Sequence, residues 1–529
     1  MACLRRESYL ALNWDRTGRT ITLLNQRPFP FDPPVDWQAQ PVPDPLWSFK
    51  LHSWEWAWPA LASMDSRKPV LALWRDWLAQ VPLGHGLAWE PHPTSQRLIV
   101  WSAAWHLLGG DIQLAAGIAQ QAAYLIDHLE RDLDNNHLIA NTKALAYVGL
   151  LFPNLPAAPR WRRIGLKLFW EALKNQVQPD GGHIERSAGY HLSVWLDGLE
   201  VALLCRACDE HVPPSAWETL RSMNTFAHML RRPDGRLPLL NDSVEDEPLA
   251  LRAVFDLATA VCQHIGDSSI AEPGPRPQPV PSSATATMSH ALLDSGYVVL
   301  RAGQGHADVY VLFDAGDLGP PHCPGHGHAD TLSIEVWGRG EALVVDPGTY
   351  QYVAGPWRDY FRGTAAHSTA TIDGLDQSVF VGPFRVADLA RARLVSLVSD
   401  RGSNIEVVGE HDGYTRLRDP VLHRRRIRLE CSGTITIEDS FVGCAVHQIA
   451  LRFHLAPCRV TIPTASLAHA TYPGGTQVTF RVCDDGCGSW CAENGWISRF
   501  WYQKDASPVL AYLVEAKLPV MITTEMRIT

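Results

Sequence analysis

The spacing of apolar residues changes once along this chain, and that change limits the fold more than any other feature. Up to about residue 265 the period is helical. Leu98, Trp101, Trp105 and Leu108 fall on one face, and Ile118, Ala122, Leu125 and Leu129 repeat the pattern in the next segment. Further helical runs lie around 141–151, 161–176, 191–208, 215–231 and 247–265. Breaks at Gly109, Gly110 and Asp111, at Pro153 and Asn154, and at residues 179–182 separate them. From Tyr297 the period is two, in short alternating runs such as 332–336, 405–408, 423–429 and 434–438, divided by Gly/Asp turns. Between the two regimes Pro273, Pro275, Pro277, Pro279 and Pro281 exclude both helix and central strand. Successive antiparallel helices followed by many short strands predict a helical bundle, solenoid or (α/α) toroid ahead of an antiparallel β-sandwich. The expected division is an irregular Trp/Pro-rich lead-in over 1–60, a helical domain over 61–271, a linker over 272–289 and a sandwich over 290–529.

The chain has 529 residues, 46% hydrophobic and 19% charged, enough for two or three domains with sizeable cores. Its net charge of −10 argues against a nucleic-acid partner, which needs a basic face, yet leaves room for a local basic cleft. Twenty Trp are unusually many. Trp fills cores and also stacks on sugar faces; core packing is the reading for most of them. Cys483, Cys487 and Cys491 match no zinc-ribbon spacing and read as free thiols. No apolar run is long enough to span a membrane, and no apolar h-region follows the first seven residues. The compartment is therefore cytoplasmic at face value, and periplasmic or secreted if a leader was removed.

Polar clusters interrupt both halves. Residues 320–330 hold His322, His326, His328 and Asp330 in a Gly/Pro-rich loop that apolar burial alone cannot order. A metal, a substrate or a second domain must hold it. The helical half offers Asn135, Asn136 and His137. Asn136 taken alone reads as a helix N-cap, but the three together can hold a carboxylate. It also offers Glu185, Arg186, Tyr190 and His191 beside a new helix, and Asn241 with Asp242 at the end of an apolar stretch. His328, Asp346 and His367 supply two imidazoles and a carboxylate, which suits either zinc with an open position or a hydrogen-bonded polar core. Arg424, Arg425, Arg426 and Arg428 read as a solvated strand face. Glu185 with Asp242 could form the carboxyl pair of a glycoside hydrolase, and a non-catalytic glycan-binding protein is the other class to weigh.

Taken together these motifs resemble the heparinase II/III-type polysaccharide lyases across nearly the whole chain. The resemblance rests on residues 24–28, 45–56 and 91–97, on Asn135 to His137, on Glu185 to Ser187 with Tyr190 and His191, and on Leu240 to Asp242. It continues through residues 325–330, 345–350, Ala365 to His367 and 411–414. It implies an (α/α) toroid followed by an antiparallel sandwich, and β-elimination on an anionic uronic-acid polysaccharide: a glycosaminoglycan, alginate or a bacterial exopolysaccharide. By the same likeness Asn136 and His137 match positions that neutralise the uronate carboxylate. Tyr190 matches the catalytic Tyr and His326 the catalytic His, while His328, Asp346 and His367 match a structural zinc site. Glu185, Arg186, His191, Asn241 and Arg97 are expected to contact substrate. Ser368 and Gly363 depart from the family pattern, where Asn and Ser are frequent.

Tyr190 can serve as both base and acid if neighbouring cations lower its ordinary pKa of about 10. His326 can serve the opposite uronate epimer. Because His326 and His328 flank only Gly327, an extended backbone would aim them to one side, and Gly327 is expected to turn the chain so that they diverge.

Overall fold

The computed structural model describes residues 12–17, 19–62, 67–245, 251–265, 287–303, 309–400, 404–483 and 488–529. Among the described residues ten α-helices lie in the first half: α1 Pro45–Ser53, α2 Trp58–Leu61, α3 Arg67–Gln80, α4 Pro91–Leu107, α5 Ile112–Asp127, α6 Asn136–Leu151, α7 Ala158–Gln176, α8 Ala188–Ala207, α9 Pro214–Leu230 and α10 Leu251–Ile265. Helix α6 is central, buried from Leu138 through Leu150 and packed on α4, α5, α7 and α8. It sits so close to α7 that a Cβ on Gly149 would meet the Arg162 backbone N at 2.3 Å. Lys143, buried in α6, is neutralised by Asp197 and Glu200 of α8, which ties the two helices through a paired charge.

The Trp-rich lead-in is part of this core. Trp37, Trp47, Trp54, Trp56 and Trp58 are fully buried; Trp54 stacks on Trp37, tilts against Trp56 and meets Trp101 edge to face. The segment read as irregular already contains α1, whose N-cap Asp44 accepts from Leu46 N at 2.9 Å with Pro at the first helical position.

The paired strands described in the second half run antiparallel. A five-stranded sheet runs in sequence order through Thr287–Leu292, Tyr297–Ala302, Val309–Asp314, Ile334–Gly338 and Glu341–Val344. An eight-stranded sheet is ordered Ala392–Asp400, Asn404–His411, Leu422–Glu430, Ile435–Val442, Val520–Ile528, Gln477–Val482, Leu467–Thr471, Arg459–Thr464. A four-stranded sheet adds Ser489–Phe500, Gln503–Lys517, Val446–His454 and Ala370–Ile372. Burial explains the patterning. Leu422–Glu430 alternates inside and outside, so Arg424 and Arg426 meet Glu410 and Glu438 on the outer face. Arg425, read as solvated, instead points inward and pairs with buried Asp439. Val309–Asp314 is buried at every position because its sheet is covered on both faces. Val298, Leu300 and Val311 join the sandwich core, while Val299, Tyr310 and Leu312 pack against Phe226, Leu230 and Leu240 of the helical half.

Thr287–Leu292 is a strand, so the linker read as 272–289 ends before Thr287; residues 272–286 lie outside the described residues, as does Cys487. Cys491 is a free thiol. Among the described residues no helix is long and apolar enough to cross a membrane.

Candidate functional site

Both halves supply side chains to one cluster at their joint. Helix α6 begins where Asn135, not Asn136, is the N-cap: its Oδ1 accepts from His137 N at 3.0 Å. This frees Asn136, whose Nδ2 donates to both oxygens of buried Glu185, at 3.1 and 2.8 Å. His137 Nδ1 meets Glu130 Oε1 at 2.8 Å and its ring stacks on His92 at 4.3 Å. Burial alone would lower the His137 pKa, but the Glu130 hydrogen bond and charge outweigh it and the net shift is upward. Burial and then the His137 charge push His92 well down, so the stacked pair carries its proton charge on His137. A cavity of about 580 Å³ opens alongside, lined by Glu90, Tyr124, His128, Glu130 and Asp132 among others.

Tyr190 stands in the first turn of α8, where the Ser187 hydroxyl caps its backbone N. Its ring lies 4.4 Å from that of His326, across the boundary between the halves. Its hydroxyl is 2.9 Å from that of Tyr352, whose pKa burial raises well above the ordinary value. A neutral Tyr352 can donate to Tyr190 Oη and stabilise negative charge there.

His326 is oriented by Asp242. Asp242 Oδ2 lies 2.9 Å from His326 Nδ1, and Oδ1 lies 3.0 Å from His328 Nε2 and accepts from Thr349 Oγ1 at 3.1 Å. Arg358, in helix α11 Pro356–Arg362, grips both oxygens. Burial opposes ionisation of Asp242, but the Arg358 charge and the two imidazoles hold its pKa well below the usual carboxylate range. An ionised acceptor at Nδ1 requires that nitrogen to carry the proton, which leaves Nε2 of His326 as the basic nitrogen. His326 and His328 therefore converge on one carboxylate rather than diverging. Gly327 is required for a different reason: a Cβ there would meet Leu318 O at 2.3 Å.

His328, Asp330 and His367 offer ligand atoms within 4.8 Å of one another, all buried. Asp346, expected as the carboxylate ligand, stands one step back: its Oδ2 is 3.1 Å from His367 Nδ1 and its Oδ1 accepts from Gly348 N. Asp330 is the carboxylate that lies within reach of both imidazoles. His328 Nδ1, Asp330 Oδ2 and Nε2 of nearby His454 are buried without hydrogen-bond partners. Burial, only partly offset by His367 and reinforced by the Asp346 charge, raises Asp330. Orphaned imidazole and carboxylate atoms facing one another fit a bound cation, since buried polar atoms are otherwise nearly always paired.

The five residues expected to contact substrate behave differently. Arg97 is fully buried, bonded to Gln121, His52 O, Ala88 O and Thr94, with its guanidinium 4.3 Å over Trp77. It is a core residue. His191 is buried against Phe226 and Met223 O. Arg186 donates to Ser295 O and Asp294 O, and Asn241 joins Arg186 O to His328 N, so both fasten the two halves together. Glu185 holds Asn136. Glu185 and Asp242 are thus buried and engaged, which removes the carboxyl pair a glycoside hydrolase would need. Tyr352, Glu130, Arg358 and His454 were not singled out from sequence. Tyr352 lies two residues beyond Tyr350, the one usable signal; the others carry none.

Two family models match the chain: the heparinase II/III N-terminus over residues 21–262 and the heparinase II/III-like C-terminal region over 284–509. A heparin-sulfate lyase of Pedobacter heparinus is 22% identical over 516 residues, covering 92% of this chain and 74% of that protein. One from Bacteroides thetaiotaomicron is 26% identical over 363 residues, covering 64% and 48%. The crystal structure of heparinase III aligns with TM-score 0.77 at 20% identity over 93% of this chain and 79% of its own. Heparan sulfate lyase HepC from Pedobacter heparinus gives 0.65 at 18%, over 99% and 82%. These structures share the fold, an (α/α) toroid followed by an antiparallel sandwich.

Proposed function

This chain belongs to the heparinase II/III family, and from that premise we propose that it is a polysaccharide lyase cleaving a uronate-containing glycosaminoglycan by β-elimination. The observation that carries this reading is the contact of Tyr190 with His326 across the joint of the two halves, beside Asn136 and a protonatable His137.

The reaction needs three things. The C5 proton is weakly acidic while the adjacent carboxylate is ionised, so that carboxylate must be neutralised as the enolate forms. Cationic His137 and the Asn136 amide, aligned by Glu130 and Glu185, are suited to this. A base must take the C5 proton: Tyr190 Oη on one face of the sugar, or His326 Nε2 for the opposite epimer. As the C4–O4 bond breaks and the C4=C5 double bond forms, O4 must receive a proton, which Tyr190 can return. The product is an unsaturated uronate that absorbs in the ultraviolet. An ultraviolet assay on a panel of glycosaminoglycans, with alginate for comparison, tests the reading; no absorbance rise on any of them would overturn it. A merely glycan-binding protein would bind the panel without that rise.

The carboxylate site predicts a pH dependence. A raised His137 pKa keeps the charge above the ordinary value of about 6.5, and it is lost as the pH climbs further. KM should then rise about tenfold or more through that window, the scale of one charge-assisted hydrogen bond. His137→Gln should show a high KM that no longer changes with pH. An unaltered pH profile in that variant would exclude His137 from carboxylate binding.

Zinc is the proposed metal, held by His328, Asp330 and His367, with Asp346 orienting His367. When bound it would act as a structural cross-link between the loop at 320–330 and the segment at 361–369. Chelation should lower thermal stability and activity together, and metal analysis should find about one zinc per chain. Fully active, equally stable protein without metal would rule this out.

A further inference from the structure

Phe384 is 42% exposed and sits at the turn between Val379–Gly382 and Arg385–Asp388, a hairpin that stands beside the reacting groups. Its ring centroid lies 5.6 Å from that of His326 and 5.2 Å, edge on, from that of Tyr352. Two buried guanidiniums pin the turn. Arg358 donates to Pro383 O at 3.1 and 2.9 Å, and Arg362 donates to Gly382 O at 3.1 Å and to Pro383 O at 2.8 Å. From below, the residue preceding His326 presses on the same turn: a Cβ on Gly325 would stand 3.0 Å from Phe384 O and 3.3 Å from its Cβ. A large apolar ring is thus fixed in position yet left open to solvent, at the edge of a site otherwise built from polar groups. Single exposed apolar residues are ordinary; what sets this ring apart is that buried guanidiniums hold its turn while it faces His326 and Tyr352.

The Trp-rich core does not supply such a surface: Trp37, Trp47, Trp54, Trp56, Trp58, Trp74, Trp77 and Trp101 are all fully buried. The C–H faces of a pyranose are apolar, and an aromatic ring that meets one gains contact area without requiring charge.

We propose that Phe384 is the stacking platform for the sugar ring adjoining the uronate, recognising its C–H face and not its substituents. This rests on the lyase reading above. It also assigns the Arg358 and Arg362 contacts to Pro383 a purpose, since they fix the platform relative to His326. Because stacking ignores charge, the loss of Phe384 should weaken sulfated and unsulfated substrates alike.

The experiment compares wild type with Phe384→Ala, Phe384→Leu and Phe384→Trp, by the ultraviolet assay on sulfated and unsulfated heparan chains. The same variants in a Tyr190→Phe background are titrated calorimetrically with tetrasaccharides of both kinds. Phe384→Ala should raise KM and the tetrasaccharide Kd about tenfold on both substrates, with a much smaller change in kcat. Phe384→Leu should be intermediate, and Phe384→Trp should restore affinity. An unchanged KM and Kd, or a fall in kcat alone, would overturn the platform while leaving the lyase reading intact. Wild type that neither cleaves nor binds either chain would overturn both.

Discussion

Replacing Tyr190 with phenylalanine is expected to lower kcat by about 10²–10⁴, the range for loss of a positioned acid–base group, while leaving the fold in place. The backbone around Tyr190 is secured independently of its hydroxyl: Ser187 caps the helix, and Ser243 Oγ accepts from Gly189 N at 3.1 Å. Removing one hydroxyl, and with it the contact to Tyr352, should cost only about 1 kcal/mol of stability. The comparison with His326→Ala separates the two bases. If Tyr190 removes the C5 proton on one uronate epimer and His326 on the other, His326→Ala should abolish cleavage of only the second. Tyr190→Phe should depress both, since Tyr190 also returns the proton to O4. Product release measured by ultraviolet absorbance on epimer-defined oligosaccharides reads this out. Wild-type rates in the Tyr190→Phe protein would remove Tyr190 from the mechanism.

Much of the architecture is legible because local periodicity and burial agree. The face of Leu98 and Trp101 is buried in α4, and the alternation across 422–430 survives as an inside–outside pattern. It fails where one element is covered on both sides. Tyr297–Ala302 and Val309–Asp314 read as short apolar runs whose second face has no visible partner, because that partner, around Phe226 and Leu230, lies far upstream. Gly327 shows the same limit. Sequence marks it as special, but close packing against Leu318, not a turn, makes a side chain impossible there.

Within the site, residue type predicts chemistry but not exposure. Arg97 and His191 carry functional groups suited to a polyanion, yet both are enclosed, and only three-dimensional packing distinguishes them from His137. Asp330 and Asp346 are equivalent as ligands on paper. The backbone decides between them, since Asp346 is turned toward His367 and Gly348 while Asp330 is left with an unpaired buried oxygen. Phe384 leaves no trace at all in the sequence, because its meaning comes from the hairpin turn that Arg358 and Arg362 hold beside His326.

Asp242→Ala should be the most damaging single change to the structure, with a loss of roughly 3–5 kcal/mol and of activity together. Asp242 is buried at 5% exposure and joins Arg358 of α11, Thr349, and both His326 and His328 of the 320–330 loop. Its removal strands the buried Arg358 guanidinium without a counter-charge, and a lone buried charge is far more costly than a lost pair. Arg358→Met should therefore be nearly as harmful, because it strands Asp242 instead. The double variant Asp242→Leu/Arg358→Met removes both charges and should recover much of the stability in a denaturant titration. It should not recover activity, since His326 has lost the acceptor that fixes its proton on Nδ1. This split between stability and turnover is what a purely structural ion pair would not produce. If the double variant regained both, Asp242 would be a packing residue; if Asp242→Ala melted like wild type, the hub itself would be misassigned.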